Sequence, residues 1–206
     1  MKNYLILPLL LIVVLFFASC EKDPDTDKLD NDYLVLTNYD SNTNFSDINS
    51  FYVIDSILII DNQTSKPTYW KNENSQKIVN AYNDNFISRG YTQAASGNEA
   101  DVVFQLSYIN TTYYFNNSVG PWWNNYPGYW NWGGWGWYYP FNFFYAYSTG
   151  SIIGELVNTK APHSSNKLTV IWNAYICGLL NGNNLSLSRT MAAINQAFEQ
   201  SPYLKK

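Results

Sequence analysis

The 206-residue chain has little charge of either sign, with 12 Lys+Arg, 16 Asp+Glu and a formal net charge of −4. So few cations on a net acidic chain exclude the basic stripe that a nucleic-acid binder needs. Two cysteines, Cys20 and Cys177, exclude a disulfide-rich scaffold. One histidine, His163, removes most metal centres and most histidine-dependent catalysis. No G-x-S-x-G elbow, G-x-x-x-x-G-K-S/T phosphate loop, H-E-x-x-H helix or C-x-x-C pair occurs. The expectation is a non-enzyme with no cofactor and no metal. The disorder signature of low hydrophobicity with high net charge is missing too, since 46% of residues are apolar. Aromatic residues, at 18%, are what the chain has in excess.

The N-terminus reads as an address label. Lys2 precedes an uncharged apolar run, Leu5 to Ala18, broken by Pro8. Such a run fits the hydrophobic region of a signal peptide and falls short of the ~20 residues a spanning helix needs. Phe17-Ala18-Ser19-Cys20 resembles a bacterial lipobox, with Phe17 where leucine is usual. The expected organisation is therefore a signal peptide at 1–19 and a lipidated cysteine at Cys20. The plain alternative is a general secretory signal cut ahead of a chance cysteine. Acyl chains contribute about 0.8 kcal/mol per buried methylene, so two or three hold a protein on a membrane without spanning it. Cys177 would then be a lone thiol, behaving as a small apolar residue. Residues 20–32 complete an acidic tether, in which Glu21, Asp23 and Asp25 resemble an export tag for the outer leaflet of an outer membrane; a mere spacer fits equally well. The expected location is the cell envelope, at the outer membrane, with the membrane itself as a partner through the lipid.

From Tyr33 to Lys206 the pattern is that of one α+β domain. Tyr33 to Thr37 and Ser50 to Ile54 read as strands with turn residues between them, and Ile57 to Ile60 as a further apolar run. Residues 72–89 carry Ile78, Val79, Tyr82 and Phe86 at helical spacing, with Asn72 or Asn74 as cap and Gly90 as stop. Asp101 opens a strand whose Val102, Phe104, Leu106 and Tyr108 alternate with Val103, Gln105 and Ser107, one face more polar than the other. Ser151 to Asn158 puts Ile152 and Leu156 on one face and Glu155 on the other. Leu168 to Cys177 places Leu168, Val170, Trp172, Ala174 and Ile176 on one side, after a long loop from Thr159 to Lys167 that holds His163. A last helix, capped by Ser186 or Ser188, carries Leu187, Met191, Ile194 and Phe198 and ends before Pro202. The predicted fold is a mostly antiparallel sheet with two helices packed on one face, in the order β-β-α-β-β-β-α.

A long aromatic hairpin or loop interrupts this pattern after the third strand. No charged residue lies between Asp101 and Glu155, and residues 113–147 hold 18 aromatics in 35 positions. Glycine, proline and asparagine break every run, so neither a spanning nor an amphipathic helix fits. Trp122, Trp123, Tyr126, Tyr129, Trp130, Trp132, Trp135, Trp137, Tyr138 and Tyr139 are the candidate binding rings. Three uses compete: contact with a membrane surface, docking on an envelope protein, and stacking on envelope glycan. A self-packed, low-complexity flap is the plain structural alternative. Glu99/Asp101 and Asp55/Asp61 are the nearest carboxylate pairs and suit caps and turns, with Asp101 expected as a structural hydrogen-bond acceptor.

Several short strings carry a resemblance. They are SFYV (50–53), SRGY (88–91), ADVVFQLSY (100–108), GSIIGELVN (150–158), LTVIWNAY (168–175) and SPY (201–203). Together with the lipobox, the aromatic insertion between them and the final helix, they make the mature chain similar to the small bacterial lipoproteins of domain-of-unknown-function family 4136. Asn158-Thr159 departs from the acidic residue often found there in that family. The resemblance implies an envelope lipoprotein of unassigned role and gives no catalytic residues to carry over.

Overall fold

The computed structural model describes residues 33–61, 67–110, 113–114, 136–141, 146–147, 150–164, 167–181 and 184–206. The fold belongs to the unit Asp32–Lys206. The expected signal peptide, Cys20 and the tether lie outside the described residues. The described elements are β1 (Leu34–Tyr39), β2 (Ser50–Ile60), β3 (Thr68–Trp70), α1 (Glu73–Ser88), β4 (Thr92–Gln93), β5 (Val102–Ile109) and β6 (Tyr113–Tyr114). They continue with β7 (Gly136–Tyr138), β8 (Ala146–Tyr147), β9 (Ser151–Ser164), β10 (Lys167–Cys177), β11 (Leu180–Asn181), β12 (Asn184–Leu185) and α2 (Leu187–Glu199).

The main sheet runs β1-β10-β9-β5-β2-β3, with β4 on β2 and β7 on β10. The sheet is mixed: β1–β10, β10–β9, β9–β5 and β2–β3 pair antiparallel, whereas β2 and β5 pair in parallel, as do β2 and β4 and β7 and β10. The reason is the crossover. Helix α1 lies between β2 and β5 in sequence, and a strand–helix–strand crossover returns the chain in its original direction. The short strands also lengthen the element order beyond β-β-α-β-β-β-α.

Helix α1 starts at a reciprocal cap. The Asn72 side chain accepts from the Ser75 amide at 3.0 Å, and Ser75 Oγ accepts from the Asn72 amide at 2.7 Å. Gly90, at φ +94°, ends the helix in a conformation that suits glycine. Ile78, Val79, Tyr82 and Phe86 are buried against the sheet, as their spacing requires. Phe86 meets the rings of Phe104, Trp172 and Phe198 edge-on, with centroids 5.3, 6.3 and 5.0 Å away. Burying each such side chain stabilises the fold by about 1.5–3 kcal/mol. In α2 the buried residues are Thr190, Ala193, Ile194, Ala197 and Phe198, while Leu187 and Met191 are half-buried at the margin. The two alanines turn the stripe because their small side chains face inward.

Irregular pairing decides which face each strand residue meets. The β9–β10 register shifts between Val170 and Trp172. Val170 and Leu168 consequently sit in the cluster on the outer face, away from the helices, whereas Ile171, Trp172, Ala174 and Ile176 belong to the helix-side core. The sequence alternation had put Leu168, Val170 and Trp172 on one side; one extra residue in a strand reverses the side chains beyond it. The expected Thr159–Lys167 loop is mostly strand as well, since β9 continues to Ser164 and contains His163.

Both faces of the central strands are covered. In β5, Val103, Gln105 and Ser107 are as buried as Val102, Phe104 and Leu106. The outer cluster contains Leu58, Ile60, Ile109, Ile153, Val157 and Val170, with Trp137 from the aromatic insertion packed into it. That second layer is why the more polar face of β5 does not meet solvent.

Candidate functional site

Among the described residues, the outer face carries a polar row that crosses the central strands. In the strand register Gln105 of β5 lies opposite Glu155 of β9, Glu155 opposite Asn173 of β10, and Asn173 opposite Asn38 of β1. Residues opposite one another on adjacent strands have Cβ atoms about 4.5–5.5 Å apart, so these side chains are immediate neighbours. Asn38 Nδ2 donates to Asn173 Oδ1 at 3.1 Å. One step along the strands, the hydroxyls of Ser151 and Tyr175 are hydrogen-bonded at 3.0 Å.

Glu155 is the chemical centre of the row. It is 1% exposed. The Tyr139 hydroxyl donates to its Oε1. Burial pushes its carboxyl well above the usual range. Its Oε2, the Nε2 of Gln105 and the Oγ of Ser107 are buried with no hydrogen-bond partner. A carboxyl set between two amides suits hydrogen bonding and does not by itself supply a reaction.

The aromatic insertion reaches this face by its far end. At its base β6 and β8 pair antiparallel, Tyr113 opposite Tyr147 and Tyr114 opposite Ala146. Further in, β7 runs parallel to β10, with Gly136, Trp137 and Tyr138 opposite Lys167, Leu168 and Thr169. Trp137 is 5% exposed and lies in the outer cluster, Tyr138 and Tyr139 are half-buried, and Phe141 packs beside Tyr139. Of the ten candidate rings, Trp137 is thus a packing residue, and Tyr139 is a hydrogen-bonding cover for Glu155. Trp122, Trp123, Tyr126, Tyr129, Trp130, Trp132 and Trp135 lie outside the described residues.

A second polar region sits at one end of the sheet. A cleft of about 420 Å³ is lined by Asp40, Asp47, Asp101, Asn158 and Lys160, among others. Its acids hold the backbone. Asp101 Oδ2 accepts from the amides of Asn49 and Ser50, both at 3.0 Å, and Ser50 Oγ accepts from the Asp101 amide at 3.0 Å. Burial alone raises its pKa, but these hydrogen bonds and nearby Lys160 outweigh that and hold the carboxyl below its usual value. Asp40 similarly receives the Asn42 amide and the Thr43 hydroxyl. Asp101 is the structural acceptor its sequence position suggested. No group of acids, histidines or cysteines suited to a metal occurs among the described residues. Cys177 is unbridged and half-buried at the edge of the outer cluster.

Sequence reasoning missed Glu155 as a site residue. The signal was present, because Glu155 is the one charge within the apolar string Ile152 to Val157. Alternation alone assigned it to a face assumed to be wet.

The family described as Domain of unknown function (DUF4136) matches residues 35–203. No curated protein matches the chain. Among solved structures, a DUF4136 family protein from Bacteroides thetaiotaomicron is 44% identical with a TM-score of 0.75, over 84% of this chain and 97% of that one. A PelC dodecamer from Paraburkholderia phytofirmans is 11% identical with a TM-score of 0.40, over 84% and 98%. A PDZ domain protein from Parabacteroides distasonis is 13% identical with a TM-score of 0.40, over 84% and 37%.

Proposed function

The chain belongs to the DUF4136 family, and from that premise we propose that it is a lipid-anchored cell-envelope protein acting as a non-catalytic interaction module. In this reading Cys20 carries the lipid, and the aromatic insertion makes the contact with a membrane surface or an envelope protein. The observation that supports it most is the insertion's attachment. It is tied at its base by β6 and β8 and seated on the sheet by β7, and seven of the candidate rings fall in the sequence between β6 and β7. A charge-free segment dense in Trp and Tyr has the composition of interface centres and of membrane–water boundaries.

The test removes residues 116–135 behind a short Gly/Ser bridge, leaving β6, β7 and β8 in place. The shortened domain is expected to melt cooperatively and to lose retention on native envelope. Blue-shifted tryptophan fluorescence with lipid vesicles favours the membrane, a shift with envelope polysaccharide favours glycan, and a retained envelope protein favours docking. Loss of folding on deletion, or an intact chain that responds to none of these, overturns the contact role. Cys20→Ala is expected to abolish palmitate labelling, and persistent labelling would remove the anchor from the proposal.

A further inference from the structure

The two edges of the main sheet are built differently. At one edge β2 is screened by two short strands, β3 opposite Ile57 to Ile59 and β4 opposite Ser50 and Phe51. It is also irregular against β5 between Val53 and Ile57, and its Asp55 is paired with Lys71 at 2.6 Å. Short strands, bulges and charges are the usual means of keeping a sheet edge from pairing with another chain. At the other edge β1 has none of them. It pairs with β10 in unbroken register from Leu34 to Tyr39, carries no charge and no proline, and leaves Leu34 and Tyr39 50% and 42% exposed at its ends.

The ladder decides which backbone groups β1 offers. The Asp40 amide donates to the Ile171 carbonyl at 2.9 Å. That bond continues the β1–β10 register by one residue and makes Asn38–Asn173, Leu36–Tyr175 and Leu34–Cys177 the hydrogen-bonded pairs. The N–H and C=O groups of Val35, Thr37 and Tyr39 therefore point the other way, to the outside of the sheet. Among the described residues no strand and no backbone hydrogen bond meets them there.

We propose that β1 is a self-pairing edge: a second copy of the chain adds its own β1 antiparallel, across a two-fold axis at Thr37, and joins the two sheets into one. In that register Thr37 faces Thr37 of the second copy and Val35 faces its Tyr39, so each outward N–H and C=O of the three residues finds a partner. Threonine opposite threonine and an aromatic ring opposite a β-branched residue are favourable cross-strand pairs. Asp40, the acid next to the strand, falls opposite Leu34 of the second copy, so no like charges are set against each other along β1. This self-complementarity of direction, hydrogen bonding and charge argues for a second copy over a different protein. A strand pair of this size is small beside a standard interface, so the pair forms in concentrated protein and comes apart on dilution. The inference goes beyond the contact role and does not depend on it.

Amide exchange followed by NMR on the full chain, over a series of protein concentrations, tests the pairing. The amides of Val35, Thr37 and Tyr39 are expected to exchange freely in dilute protein and to become protected as concentration rises. Those of Leu36 and Asn38, bonded to β10, stay protected throughout. Sedimentation over the same series should show monomer passing to dimer and stopping there, because the pairing uses up the edge. Thr37→Pro removes one outward donor in each copy and no bond to β10, so the association constant should fall about tenfold or more. Thr37→Cys should oxidise to a dimer linked through the introduced thiols, since paired Cα atoms about 5.5 Å apart suit a disulfide. Ser88→Cys, on α1, should not. Protection of the three amides already present in dilute protein would mean that the chain covers this edge itself. Protection gained only on adding envelope extract would give the edge to another partner, and a chain that stays monomeric at every concentration would leave it unused. Each of these results overturns the self-pairing. Exchange and crosslinking decide the matter even if Thr37→Pro does not fold.

Discussion

Replacing Gly154 by alanine probes the packing that sets the inner core. Gly154 lies on β9 between Leu106 and Ala174, and the Phe104 ring sits directly over it. A Cβ at this position would stand 2.2 Å from Phe104 Cζ and 3.0 and 3.1 Å from its Cε atoms. Carbon atoms pack comfortably at about 3.5–4.0 Å, so the ring has to move by more than an ångström. It has little room, because the rings of Tyr82, Phe86 and Trp172 surround it at centroid distances of 4.7, 5.3 and 5.8 Å. Overpacking of this kind costs about 1–3 kcal/mol. Alanine also narrows the unfolded ensemble, which returns about 0.4–1 kcal/mol. The net expectation is a loss of about 1–2 kcal/mol, or roughly 2–8 °C in Tm for a domain of this size. Urea unfolding followed by circular dichroism measures the first, and a thermal melt the second. In a Phe104→Leu background, where Cζ is gone, the alanine penalty should shrink by about 1 kcal/mol. A Gly154→Ala protein as stable as wild type, or a penalty unchanged by Phe104→Leu, would refute the account of this contact.

Two further substitutions test long-range ties. Asp101→Ala removes the acceptor for the Asn49 and Ser50 amides and should cost about 1–2 kcal/mol in urea unfolding at neutral pH. Since the folded Asp101 carboxyl is held below its ordinary value, its contribution is present above the unfolded pKa and is lost as pH falls through the folded one. The acid limb of the wild-type stability curve should therefore be steeper than that of Asp101→Ala. Arg89→Ala deletes donors to the carbonyls of Phe198, Ser201 and Leu204. A loss of about 2 kcal/mol is expected, with faster hydrogen exchange at 201–206; unchanged exchange there would show that the guanidinium does not hold the C-terminal turn.

Local periodicity made much of this fold legible. Ile78, Val79, Tyr82 and Phe86 recur at the helical period, Asn72 caps and Gly90 stops the helix, so α1 could be read almost residue by residue. Asp101 was legible as an acceptor because it stands beside a strand end, where backbone amides need partners. The α+β class followed from counting stripes and alternations, and the family from strings spread along the chain. The turn of the α2 stripe toward Ala193 and Ala197 was not visible, because small residues give a weak apolar signal.

Other features exist only once distant segments meet. The direction of β5 relative to β2 depends on where α1 carries the chain, and the face met by Val170 depends on a register shift against β9. Glu155 is an ordinary acid in the sequence; it becomes a buried group whose carboxyl holds its proton more tightly because β5, β10 and Tyr139 close around it. Composition and period are properties of neighbours along the chain, and they determined the elements and the aromatic insertion. Register, coverage and proton affinity are set by what is displaced from water by residues far away in sequence, so only the tertiary structure could decide them.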